Sequence, residues 1–532
     1  MIIIDPVAMG DAACTRASPK WVFDRTGTLV EVPANTLGVT YDPTDLSKAP
    51  YALIEPADQN VLTNSEDFTH VDWGKSNVTP VPGSGRAPDG STSATLLQEA
   101  AGVVGNYLTR SPVVNAGDLI TLSVFARRGV GDRGLALVLH SAPVGTNQIV
   151  AFNLVSGEGS VVAGAPTFKI VQAGEFFRCS ITFQAIASGN VGLQIRNTKD
   201  GSINHAGDGQ SGVLVWGAML SFGPASSYIR AGSAFATRAA DVISATAGLI
   251  YSNVPMVEPP YSADTTYAKD AAVYDPVTKI VYWSMQASNL GKPLSDPAWW
   301  NKRTAINRWA MLDDRNDTQT EANEDILIVL SARAITQGLY LGNLDANEIR
   351  IAMTDQKRGL VYTETRSQVV SRSMASFYRW AFKRIRRRSY FLTLKLPVYA
   401  NALVTILIRR PGGVAKCGMC MLGPATDVGL SHYGLSTELK DFSDTSFNPD
   451  GTSKTVVRGY AKRMSVDVEV DNQEIDDVEE ELIAFRQKVV VYVGTVLFGS
   501  AMLVGKFSSL KKVIPGLRKS RLSLQVEGVV TK

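Results

Sequence analysis

The sequence predicts a mainly β, multidomain protein: a jelly-roll or β-sandwich, then a small aromatic β module, then an α+β domain. Three observations carry that expectation. Through residue 248, short apolar runs alternate with Gly, Asn, Asp and Ser clusters, with no amphipathic helical period. Between Tyr261 and Trp300, seven Tyr and Trp residues crowd into about forty positions, against 8% aromatic residues for the whole chain. After residue 305, strand-like runs continue, but apolar stripes at helical spacing interrupt them.

Residues 1–17 read as an N-terminal arm, whose apolar start Met1 to Ile4 could add a strand to a neighbour's sheet. Residues 18–248 form the sandwich, with strands expected at Leu119–Phe125, Leu135–Leu139, Ile149–Leu154, Phe176–Phe183, Val191–Ile195 and Val213–Leu220. Residues 249–304 open on a Pro-rich stretch, Val254 to Pro260, that reads as a semi-rigid linker into the aromatic module. Residues 305–532 mix strands with two helices and suit docking or anchoring. Strands are expected at Ile326–Leu330, Ile349–Met353, Phe391–Leu396, Val404–Ile408, Met464–Val470, Val489–Val493 and Leu522–Glu527. Met374, Phe377, Tyr378, Ala381, Phe382 and Ile385 make the stripe of the first helix, and Ile475, Val478, Leu482 and Phe485 that of the second. The second helix starts acidic and ends near Arg486 and Lys488, which complements a helix dipole.

Composition narrows the function classes. At 532 residues the chain exceeds one core and suggests roughly three to four domains. A formal net charge of +3 supplies no global field toward nucleic acid or an anionic membrane. The apolar stretch from Val489 to Val504 is short for a bilayer and broken by Gly494, Gly499 and Ser500. The amino end lacks the basic region of a signal peptide, so cytoplasmic assembly is expected. Four cysteines make no disulfide framework, and Cys417-Gly-Met-Cys420 lacks the second ligand pair of a zinc site, so turn or core cysteines and no metal are expected.

Several phrases together resemble a family. Thr15-Arg16-Ala17-Ser18, Phe23-Asp24-Arg25-Thr26-Gly27, Leu53-Ile54-Glu55-Pro56-Ala57, Ser65-Glu66-Asp67-Phe68 with Trp73, Phe177-Arg178-Cys179-Ser180, Val215-Trp216-Gly217-Ala218, Ser227-Tyr228-Ile229 and Thr237-Arg238-Ala239-Ala240-Asp241 occur in that order over about 225 residues. They resemble the β-sandwich modules of bacteriophage tail and baseplate proteins, with Met219 where such chains often carry Gln. The resemblance implies a concanavalin-like or carbohydrate-binding-like jelly roll. Tyr267, Val273-Tyr274, Val281-Tyr282 and Pro297-Ala298-Trp299-Trp300 are similar to small chitin-binding-type modules. Asn307-Arg308-Trp309-Ala310-Met311, Pro411-Gly412-Gly413 and Lys462-Arg463-Met464-Ser465 resemble a domain of phage virion proteins. These resemblances imply a virion location, tail or baseplate proteins as partners, and a homo-oligomer obeying tail symmetry, three copies before six.

Candidate sites come from side-chain chemistry. A sugar ring stacks its C–H face on an aromatic ring while its hydroxyls pair with polar groups, so Tyr267, Tyr282, Trp283, Trp299 and Trp300 are glycan-contact candidates or else the core of a small module. Asn204 and Asp208, with His205 and Asp89, sit in polar loops that suit a sugar, calcium or plain turn chemistry. The basic run Arg379, Lys383, Arg384, Arg386, Arg387 and Arg388, placed on a helix face, is a partner-contact candidate. The acidic helix bearing Asp476, Asp477 and Glu480 is its natural complement, and host lipopolysaccharide phosphates are another. No nucleic-acid module accompanies the basic run. No nucleophile elbow, HExxH or phosphate loop is present, and no cofactor is expected. The expectation is therefore a non-enzymatic tail component presenting sandwich modules to host surface glycans. A purely architectural protein is the alternative, and a polysaccharide depolymerase, whose acids need no local spacing, is the third reading.

Overall fold

The computed structural model describes residues 1–370, 386–447 and 452–531. Strands dominate, and the chain forms two units. One comprises Ala13–Ser244. The other is assembled from Met1–Ala12 and Ala245–Lys532.

The Ala13–Ser244 unit is a β-sandwich of two six-stranded antiparallel sheets. The first runs in the order Val78–Gly85, Ala94–Glu99, Gly212–Phe222, Leu119–Val130, Phe176–Gln184, Thr167–Ala173. The second runs Glu158–Ala163, Gln148–Asn153, Gly134–His140, Gly192–Thr198, Tyr107–Arg110, Gly74–Ser76. Alternation sets the interior. Ile120, Leu122 and Val124 from the first sheet meet Leu135, Leu137 and Leu139 from the second in one core. Each such side chain contributes about 1.5–3 kcal/mol by leaving water. The outer face of the first sheet is covered as well: Phe125, Leu214 and Trp216 pack with Trp21, Phe176 and Tyr228. Burial on both faces explains why Gly212–Phe222 reads as a nearly continuous apolar run.

A bulge lets that strand serve both faces. Val213 and Val215 point into the interior, and so do Ala218 and Leu220, while Leu214, Trp216 and Met219 point outward. The parity changes at Gly217, where the register against Leu119–Val130 slips between Ser123 and Phe125. Gly217 has φ +59°, and a Cβ there would lie 3.1 Å from the Tyr228 ring.

Buried charge ties the ends of this unit together. Asp241 accepts hydrogen bonds from Arg16 at 2.7 Å and Lys20 at 2.6 Å. Glu55 pairs with Lys20 at 3.0 Å and Arg238 at 3.3 Å, and accepts from the Ser227 N–H and hydroxyl.

In the other unit, a six-stranded sheet runs Gly10–Asp11, Gly248–Ser252, Thr320–Ser331, Leu403–Cys417, Glu348–Asp355, Gly359–Ser367. A larger sheet runs Ala425–Asp427, Ile2–Ile4, Val490–Val493, Met502–Val513, Lys519–Gly528, Tyr460–Asp471, with Leu430–Ser431 and Ser436–Asp441 both paired to the last of these. The start of the chain is thus an interior strand of its own unit, hydrogen-bonded on both edges. This corrects the reading of Met1 to Ile4 as a strand offered to a neighbour. The helix Ile475–Ala484 forms where expected. Its Ile475, Val478 and Leu482 stripe packs on the large sheet, and Asp476 and Asp477 occupy its first turn. The first expected helix, with Arg379, Lys383 and Arg384, lies outside the described residues. The helical reading does not extend to Arg386–Arg388: Arg387 bridges Val369 in antiparallel fashion, and the Arg388 N–H donates to Gln368 O at 2.8 Å.

The aromatic module belongs to this unit. Its strands Ala272–Tyr274, Ile280–Ser284 and Trp300–Ala305 form a three-stranded antiparallel sheet. The Pro-rich stretch runs alongside, with Pro259 O accepting from the Tyr274 N–H at 3.0 Å. Among the described residues, no helix is long and apolar enough to cross a membrane.

Candidate functional site

The aromatic module sorts its rings by strand face. Val273, Tyr282 and Trp300 fall on one face and, with Tyr267, form a small core joined by Tyr261 and Trp299 at its margin. Tyr267 and Trp300 meet edge-on at 5.4 Å between centroids. The Tyr267 hydroxyl donates to Ser262 O at 3.1 Å, and the Trp300 indole N–H donates to Lys292 O at 3.0 Å. Tyr267 and Trp300 are therefore core residues, which corrects their reading as a stacking platform: so short a segment uses large rings to build an interior. Tyr282 and Trp299 are half-buried. Lys292 lies 5.0 Å from the Trp299 ring.

Trp283 differs. It lies on the opposite face, pairs in register with Asn301, and remains 41% exposed. The Arg303 guanidinium sits 4.2 Å from its ring centroid, a cation–π contact. Two residues along a strand return to the same face, which is why Asn301 and Arg303 both flank the ring. The exposed surface thus combines an indole, a carboxamide and a guanidinium. Asn301 and Arg303 were not legible in the sequence, because the strand register that brings them to Trp283 has no local signature.

The sandwich unit carries a concavity. A cleft of about 920 Å³ is lined by Arg128, Arg133, Asn153, Glu158, Ser160 and Asp200, among others. Beside it, Asp208 and Glu99 converge on one cation: Arg133 donates to Glu99 at 2.9 Å and to Asp208 at 3.1 Å. His205 Nε2 lies 2.6 Å from Glu99. The Ser211 hydroxyl and the backbone N–H groups of Ser211 and Gln210 hold the Asp208 carboxyl far below the usual carboxylate range. Both Asp208 oxygens are thereby engaged in bracing Arg133 and the residue's own turn, which favours turn chemistry over a calcium site. Asn204 is exposed in the adjacent loop, where its N–H donates to the Ser202 hydroxyl at 3.2 Å.

Among the described residues the charged candidates do not meet. Lys512, from Met502–Val513, pairs with Asp476 at 3.0 Å and with Glu479, so two of the helix's acids are answered by its own sheet. Asp477 and Glu480 face outward. Arg387 donates to Asn347 at 2.6 Å and pairs with Asp345 at 3.5 Å. The expected pairing of basic run and acidic helix is therefore absent among the described residues. The cysteines are buried and free; Cys417 and Cys420 both belong to the core of their unit, and burial pushes the Cys417 thiol up to about 12.

No family model matches the chain, and no curated protein matches it in sequence. Among solved structures, it is similar to the N-terminal CBM22-1–CBM22-2 tandem domain of Xyn10C from Paenibacillus barcinonensis, at 8% identity and TM-score 0.22, over 69% of this chain and 98% of that one. It is also similar to the GH78 family rhamnosidase of Bacillus sp. GL1, at 11% identity and TM-score 0.18, over 82% of this chain and 37% of that one. At TM-scores this low neither likeness bears on function. The sandwich rests on its own strand registers.

Proposed function

We propose that the chain is a non-catalytic structural component of a bacteriophage tail or baseplate that holds host-surface saccharide on its β modules. The observation that carries the saccharide reading is the Trp283 surface: an exposed indole flanked by Asn301 opposite and Arg303 at 4.2 Å. A pyranose C–H face stacks on the ring, the guanidinium and carboxamide take hydroxyls, and no bond is made or broken. The polar cleft of the sandwich suits a second contact along a polymer. The tail location is supported by the ordered resemblance of the first 240 residues to tail-protein sandwiches, and copies in threes fit the symmetry of such a structure.

The test is binding of the purified chain to a glycan array and to host surface polysaccharide. Trp283→Ala should weaken binding about tenfold or more, since a stacked aromatic is worth about 1–3 kcal/mol. Arg303→Ala should weaken it less. Saccharide binding unchanged in Trp283→Ala would remove the reading.

A second, architectural reading is favoured by one feature. The strand Ser436–Asp441 and the paired strands Asp444–Phe447 and Ser453–Val456 lie in a stretch of chain that leaves Tyr433, Leu439, Val456 and Val457 exposed. Exposed apolar groups on such edge strands suit contact with a neighbouring tail protein. A map of the intact particle with these strands seated on another subunit, together with no saccharide binding, would establish this reading over the first.

A further inference from the structure

We propose that the loop 494–501 is a membrane-contact tip, which enters the interface of an anionic lipid bilayer. The loop joins the antiparallel strands Val490–Val493 and Met502–Val513. At its turn Val496, Leu497 and Phe498 are 59%, 80% and 64% exposed. Among the described residues no other three consecutive large apolar side chains are exposed. Single apolar side chains on a surface are ordinary, whereas a contiguous group marks a contact. The apolar stretch from Val489 to Val504 therefore pairs its flanks as strands of the sheet and turns its middle to solvent.

Hydrogen bonds close the turn. Gly494 N–H donates to Ala501 O at 2.9 Å, Ala501 N–H donates to Phe498 O at 3.0 Å, and Leu497 N–H donates to the Thr495 hydroxyl at 3.2 Å. Gly499 is seated against the Tyr390 ring with no room for a Cβ. These contacts hold the three side chains outward without burying them. They also satisfy backbone groups that hydrocarbon cannot.

The apolar run sets the class of partner, and the charge beside it sets the sign. Val496 lines a concavity at the strand Tyr390–Thr393 together with Arg366, Arg388 and Lys395, and no carboxylate is among the described residues that line it. Arg366 answers Glu364, whereas Arg388 and Lys395 are exposed. Leu and Phe side chains enter the boundary between headgroups and acyl chains. Their entry brings neighbouring cations to the level of the lipid phosphates, where each adds attraction to an anionic leaflet. A protein partner would need a socket shaped to the tip and lined by acids, while a bilayer offers hydrocarbon and phosphate to any shape.

The experiment sediments the full chain with vesicles of phosphatidylcholine alone and of equal parts phosphatidylglycerol and phosphatidylcholine. The anionic vesicles should bind it about tenfold more tightly, and added salt should weaken that binding. Leu497→Ser and Phe498→Ser, both at exposed side chains, should each lower the partition about tenfold while thermal unfolding stays unchanged. Arg388→Ala combined with Lys395→Ala should remove the preference for anionic vesicles. Depth is read from a Leu497→Cys variant carrying an environment-sensitive fluorophore, since the native cysteines are buried. Its emission should shift to the blue on vesicles and be quenched by lipids brominated in the acyl chain. No sedimentation with anionic vesicles, a label that stays in water, binding unchanged in both serine variants, or an anionic preference that survives loss of both cations would overturn the tip. Self-association that Leu497→Ser abolishes, without vesicle binding, would overturn it too and assign the run to a second copy of the chain.

Discussion

Asp241 receives the Arg16 guanidinium on one oxygen and the Lys20 ammonium on the other, and all three side chains are 0% exposed. Burial alone would raise its carboxyl, but the Lys20 charge and the hydrogen bonds from Lys20 and Arg16 outweigh it and leave it below the ordinary value. Asp241→Asn should destabilise the sandwich by about 3–5 kcal/mol, because it leaves the buried Arg16 without a carboxylate and Lys20 with Glu55 alone, and denaturant unfolding will measure it. A carboxyl that titrates lower when folded stabilises fully above its unfolded pKa of about 4 and loses that contribution as pH falls through the folded value. Glu55 is depressed likewise, with Lys20 and Arg238 overcoming its burial. The wild-type sandwich should therefore weaken below about pH 4 more steeply than the Asp241→Asn variant does. At this scale the sequence was only partly legible. It drew attention to Arg16, Glu55, Arg238 and Asp241 as parts of recurring phrases, and it named Trp283. It did not distinguish Trp283 from Tyr267 and Trp300, because the face a ring takes depends on pairing register, and register is a property of two strands at once.

The element scale was more legible. Apolar runs bounded by turn residues located the central strands of both sandwich sheets, as with Leu135–Leu139 inside Gly134–His140 and Phe176–Phe183 inside Phe176–Gln184, while more polar strands such as Glu158–Ala163 and Gly74–Ser76 gave no such run. The helix at Ile475–Ala484 was readable from its stripe and its acidic first turn. The bulge at Gly217 was hidden: a run apolar on both faces has no alternation to break, so the change of parity leaves no trace in hydropathy. Gly217→Val should cost about 2 kcal/mol or more through a positive φ that a β-branched residue resists and a 3.1 Å approach to Tyr228. Differential scanning calorimetry will show it as a lowered sandwich transition. Near-ultraviolet circular dichroism should change with it, because Trp216 and Tyr228 lie 5.0 Å apart at that point.

On the scale of the whole molecule, sequence order and spatial order part company. Residues 13–244 interrupt a unit whose first strand, Ile2–Ile4, lies between Ala425–Asp427 and Val490–Val493. Nothing local in Ile2-Ile3-Ile4 tells an interior strand from a free edge, since three apolar residues serve either role. Ile3→Asp places a charge where the side chain is 1% exposed. It should lower the transition of the discontinuous unit by about 3 kcal/mol or more and leave the sandwich transition in place. A single merged transition that shifts as a whole would contradict two separately folding units. Synthesis adds a consequence. The sandwich holds all of its strands as soon as residue 244 has left the ribosome, and it can close during translation. The isoleucines that emerged before it must wait, solvated and unmatched, until Ala425–Asp427 and Val490–Val493 have followed the sandwich out, so residues made ahead of one unit are built in only after it has closed.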